Sequence, residues 1–103
     1  MTRMRFEWDE AKDASNRRKH DGISFAVAAR VFFDPPSITT QDQVVDGELR
    51  WRTVGTVEGA KVLIVAHTTT EETAQGDWIE VIRIVSARRA TRTERRRYED
   101  QDD

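Results

Sequence analysis

The run Val62-Leu63-Ile64-Val65-Ala66 is apolar at every position. Side chains alternate across a strand, so such a run is apolar on both faces and needs cover on both sides. It predicts a central strand. The arms Leu49–Val57 and Ala60–Thr68 around Glu58-Gly59 read as a β-hairpin. If those two residues alone form the loop, Arg50 stands opposite His67 and Arg52 opposite Val65, on one face. A histidine beside an arginine has its cationic form disfavoured, which suits a proton acceptor at neutral pH. The plainer alternative is that His67 ends a core strand and bonds a backbone carbonyl.

The remaining elements follow from local signals. Met4–Trp8 alternates apolar and charged residues, as a short strand does. Asp9 is a helix N-cap, and the helix it opens runs to about Lys19 with Arg17, Arg18 and Lys19 in its last turn, before a Gly22 terminator. Ser24 caps a second, mostly apolar helix over Phe25–Phe33, and Asp34-Pro35-Pro36 stops it. Ser37–Gln41 reads as a short strand, Asp46-Gly47 as a turn and Trp78–Ser86 as another strand. The polar stretch 69–77 lacks an apolar anchor and is expected to be a mobile loop. Thr91-x-x-Glu94 is a capping box opening a last helix to about Glu99, and the acidic tail beyond is expected to fray.

Composition narrows the chemistry. A chain of 103 residues is expected to be one domain, and its 35% charged content leaves apolar area for a partner to supply. With no cysteine there is no disulfide, thiolate nucleophile or cysteine zinc site. No metal-ligand spacing, glycine-rich nucleotide loop or nucleophilic serine motif occurs, so an enzyme here is expected to work without metal or cofactor. No signal region or membrane-spanning run is seen, and the expected setting is cytoplasmic, with no membrane partner.

Charge is the pointed feature. The net charge is −2, yet residues 88–97 hold six arginines against the single acid Glu94. A local cationic cluster on an anionic chain suggests a dedicated phosphate-binding surface. Arg83 interrupts the apolar strand Val81–Val85, where a charge needs a partner or a ligand. Glu80 and Glu94 are candidate partners, and an edge position in solvent is the other plain reading. Lys19-His20 is a second candidate, as phosphate clamp and general acid or base, or simply as complement to the helix dipole. Histidines for proton transfer and arginines for a phosphorane suffice for RNA cleavage by the substrate's own 2′-hydroxyl.

Taken in order, Phe6-Glu7-Trp8-Asp9-Glu10-Ala11-Lys12, Asn16-Arg17-Arg18-Lys19-His20, Gly22-Ile23-Ser24-Phe25, Val31-Phe32-Phe33-Asp34-Pro35, Arg50-Trp51 with Gly55, and Ile82 through Thr91 resemble the BrnT family. The resemblance runs from Phe6 to Tyr98. It implies a RelE-like α+β fold, an antiparallel sheet packed by two N-terminal helices and one C-terminal helix. It also implies a type II toxin with endoribonuclease activity that inhibits translation. The implied partners are RNA, a cognate antitoxin with a DNA-binding domain in a heteromeric complex, and promoter DNA through that complex. By position, the family's basic and histidine residues fall on Lys19, His20, Arg50, Arg83 and Arg88, with His67 in a His-Thr pair. The catalytic set expected on this basis is His20, Arg50, His67, Arg83 and Arg88, supported by Lys19, Arg52, Arg89 and Tyr98. Arg89 stands where relatives often have lysine, which keeps the charge and changes the hydrogen-bond fork. Two other readings use the same cationic surface: a non-catalytic module binding RNA or protein, and a copy degenerated into a partner of its antitoxin.

Overall fold

The computed structural model describes residues 3–58 and 61–101. In chain order it has strand β1 (Arg3–Glu7), helix α1 (Glu10–Lys19) and a short helix α2 (Phe25–Ala28) that tightens into a 3-10 segment (Ala29–Phe33). Strands β2 (Ile38–Val45), β3 (Glu48–Val57), β4 (Lys61–Ala74) and β5 (Asp77–Arg89) follow, then helix α3 (Arg92–Glu99). The sheet order is β1-β5-β4-β3-β2. All ladders are antiparallel except β1–β5, which is parallel, so the expected antiparallel sheet is mixed.

β4 is central, as its two-sided apolar run requires, and Val62, Leu63, Ile64 and Val65 are all buried. On one face Leu63, Val65, Ile82, Ile84 and Ala87 pack on Phe25, Ala28 and Val31, with Met4, Phe6 and Trp8 closing the rim. Each fully buried Leu, Val, Ile or Phe side chain among them contributes about 1.5–3 kcal/mol. The 3-10 segment lies this close to β3 only because residue 55 is glycine: a Cβ there would stand 2.9 Å from the Val31 carbonyl oxygen. α3 covers part of the other face. Its Tyr98 hydroxyl donates to Asp34 Oδ2 and accepts from Thr56 Oγ1 at 3.0 Å.

α1 is docked differently, by polar clips. Asp9 caps it by accepting from the Ala11 and Lys12 amides. Its buried residues are Asp13 and Asn16. Asp13 Oδ1 accepts the Phe25 N–H at 2.8 Å. Asn16 Nδ2 donates to the carbonyls of Ile23 (3.0 Å) and Ala87 (2.9 Å), and its Oδ1 accepts the Ala87 N–H at 3.1 Å. β1 accompanies β5 only as far as the Glu7–Arg83 pair. Beyond that point, at Ala87, Asn16 bonds backbone that a neighbouring strand would otherwise take.

Several expectations are corrected. The second helix is one α-turn plus a 3-10 segment. β2 extends to Val45, because Asp46 (φ 51°) and Gly47 (φ 79°) form a tight turn of the hairpin kind. The stretch expected as a mobile loop is paired strand: β4 and β5 run on to Gln75 (φ 53°) and Gly76 (φ 83°), and threonines fit a strand well. The β3–β4 register is also shifted. Val57 pairs with Lys61, so three positions, 58–60, separate the strands. Of the expected turn, Glu58 has φ 53° and Gly59 lies outside the described residues, as does Ala60. Trp51, not Arg50, therefore stands opposite His67, and Arg52 opposite Ala66. A slip of one residue exchanges the faces of a strand.

Candidate functional site

The register sends the two candidates of the hairpin to opposite faces. His67 points into the helix-covered core and is 1% exposed. Its Nε2 is 2.8 Å from Thr53 Oγ1, Nδ1 lies near Thr69 Oγ1 and the Thr68 carbonyl, and the Phe32 ring meets it edge-on at 4.9 Å. Burial pushes its pKa below the usual histidine value. The direction matches the expectation, but the cause is desolvation rather than a neighbouring arginine.

Arg50 and Arg52 lie on the other face. With Arg88, Asp42 and Gln43 they line a groove of about 280 Å³ floored by Ile64 and Ala66. Among the described residues neither Arg50 nor Arg52 makes an ion pair, and the Nε of each is buried without a hydrogen-bond partner. The terminal Nη groups of both, which make no hydrogen bond or ion pair among the described residues, line the groove and are candidates for a ligand's oxygens. Arg88 differs: its guanidinium grips Glu94 in a two-pronged fork, Nη1–Oε1 2.8 Å and Nη2–Oε2 3.0 Å. Glu94 Oε1 also accepts the Thr91 N–H at 2.8 Å, completing the capping box that starts α3. The Arg88 hydrogen bonds, foremost, lower the pKa of Glu94 from 4.5 to about 2.

A second cleft, about 250 Å³, lies along α1 and is lined by Lys12, Ser15, Asn16, Lys19 and His20. It shares Val85 and Ser86 with the arginine groove. Val85 is an extra residue in β5, since Ala66 pairs with Ser86 and His67 with Ile84. The bulge therefore forms the wall between the two clefts.

Other expected residues fall outside these clefts. Arg83 stands opposite Thr68, on the face of the groove but beyond its lining, and pairs with Glu7 at 3.6 Å rather than with Glu80 or Glu94. Arg89 faces Asp21 at 3.8 Å. Tyr98 is buried, with its hydroxyl engaged by Asp34 and Thr56. The structure thus brings together Arg50, Arg52 and Arg88, and sets Lys19 and His20 across the bulge from them. Sequence reasoning missed the holding residues Asn16 and Asp13; polar side chains on a helix with few apolar ones were the available signal.

No helix among the described residues is long and apolar enough to cross a membrane. No curated protein matches the sequence. Among solved structures the chain is similar to the crystal structure of the Brucella abortus ribonuclease toxin BrnT, with TM-score 0.53 and 19% identity. That match covers 89% of this chain and 99% of that one, and at this identity it speaks for the fold. The family model described as ribonuclease toxin, BrnT, of type II toxin–antitoxin system matches residues 8–94. With most of its length inside that match, the chain belongs to the BrnT family of ribonuclease toxins.

Proposed function

We propose that this protein is a toxin that cuts RNA by attack of the substrate's 2′-oxygen on the adjacent phosphorus, without a metal ion, and so inhibits translation. The observation that carries the reading is the groove of Arg50, Arg52 and Arg88, two of whose guanidinium groups have no protein partner among the described residues. Fixed donors beside a phosphodiester stabilise the extra charge of the phosphorane. In the reaction the 2′-hydroxyl loses its proton, the 2′-oxygen bonds to phosphorus, and the 5′-oxygen leaves with a proton. His20, beside the shared wall at Ser86, is the proposed proton-transfer group. Lys19 and Arg83 add positive charge at the margins. His67 is proposed as a positioning residue, because its bond to Thr53 fixes the strand segment that carries Arg52.

A cognate antitoxin that covers this surface, and represses its promoter as part of the complex, is the proposed partner. The binding-only reading has one observation in its favour: neither histidine lines the arginine groove. One experiment separates the two. Incubation with RNA in EDTA should give 2′,3′-cyclic phosphate ends. Arg50→Ala combined with Arg52→Ala should lower the rate at least a hundredfold in a folded protein. Intact RNA after long incubation, with RNA bound, supports the binding module instead. An absolute need for Mg²⁺ removes the mechanism.

A further inference from the structure

We propose that the α1 cleft is a second phosphodiester subsite, and that a single RNA strand crosses the β5 bulge to occupy it and the arginine groove together. The inference rests on the ribonuclease reading above and deepens it. Lys12, Ser15 and Lys19 are spaced i, i+3 and i+7, so they share one face of α1, and that face lines the cleft. Both lysines are exposed, and among the described residues neither ammonium makes an ion pair or hydrogen bond. The clefts adjoin, because Val85 and Ser86 line both.

The bulge makes this path. A regular β5 flanked by β1 along its whole length would present paired backbone at this point. Here β1 ends opposite Arg83, Val85 is extruded and Ser86 is exposed. Asn16 then holds α1 against Ala87. The result is a low wall with arginines on one side and a lysine row on the other. A positively charged track that follows a sugar–phosphate backbone is the general form of single-strand recognition. In this arrangement the scissile phosphate lies on the arginine side near the wall, and Lys12 and Lys19 hold a phosphate one or more nucleotides away.

The test compares two probes whose 2′-oxygens are methylated and therefore cannot be cut: an octanucleotide and a dinucleotide. The native chain and the double variant Lys12→Ala with Lys19→Ala are titrated by fluorescence anisotropy for the octamer and by NMR shift for the dimer. Thermal unfolding is recorded for both proteins. The expected result is a roughly tenfold loss for the octamer, at least five times the loss for the dimer. The salt dependence should fall by about 0.7 for each phosphate contact removed. Equal losses for the two probes, or an unchanged octamer affinity and salt slope, overturn the proposal while leaving the arginine site intact. Retained RNA affinity with lost binding of a polyglutamate peptide assigns the lysine row to an acidic protein segment and also overturns it. If the native chain binds neither probe, the ribonuclease reading fails and takes this inference with it.

Discussion

Replacing Asn16 by alanine removes three hydrogen bonds at once, to Ile23 O, Ala87 O and Ala87 N–H. Asn16 is only 5% exposed, so its partners have little access to water in the native state. A net value near 1 kcal/mol for each bond gives a loss of about 3 kcal/mol. Buried groups left without partners raise that figure, while water entering from the adjoining α1 cleft lowers it. Against the ~5–15 kcal/mol that holds a domain of this kind together, the change is large. At roughly 4–8 °C per kcal/mol for a chain near this size, Tm should fall by about 12–24 °C. Thermal unfolding followed by circular dichroism measures the total, and hydrogen exchange at the Ala87 amide measures the local part. That amide is bonded to Asn16 rather than to β4, so its protection should disappear well before that of Val65 on the central strand. A fall below about 4 °C with the Ala87 amide still protected would refute the clip as the joint between α1 and β5.

Other expectations are equally specific. Glu94→Gln keeps the capping box, which glutamine also forms, but loses the charge-assisted fork to Arg88. With a folded pKa of about 2 against an ordinary 4.5, the carboxylate's contribution is complete above pH 4.5 and is lost as pH falls toward 2. The native-minus-variant difference, roughly 1–2 kcal/mol after solvent screening of a partly exposed pair, should therefore vanish in urea titrations run down that range. His67 is held neutral by burial, so stability should be complete above the ordinary value of 6.5 and should decline as pH drops below it. His67→Asn should remove that component of the pH slope, which paired denaturation curves at pH 7.5 and 5.5 would show.

Sequence and structure agree where a local signal has a local cause. The Asp9 cap, the Thr91–Glu94 box, the proline stop after Phe33 and the Asp46-Gly47 turn each depend on residues a few positions apart. β4 was legible as the central strand because its two-sided apolar run admits little else. The hairpin register was not legible. Val57 pairs with Lys61, so the connection is one position longer than a two-residue turn, and the positive φ of Glu58 fits either length. That single position moved His67 from the side of Arg50 into the core. The strand pairing of Thr69–Ala74 was hidden for another reason: its polar residues gain order from β5, a partner the segment does not announce. In the candidate site Arg88 was readable from the local charge excess and Arg50 and Arg52 from the hairpin, whereas their grouping depended on the register and on the Val85 bulge.

The parallel pairing of β1 with β5 has a consequence for the protein's synthesis. Phe6 docks beside Ile82, and Asn16 closes on Ala87, so the first elements made must wait for the last strand before they have neighbours. Contacts this distant in the chain make folding slow and place it late. A nascent chain released before β5 lacks Arg88, Ser86 and the strand against which α1 sits. For a family of ribonuclease toxins, this order of assembly withholds the cleft until β5 has been made.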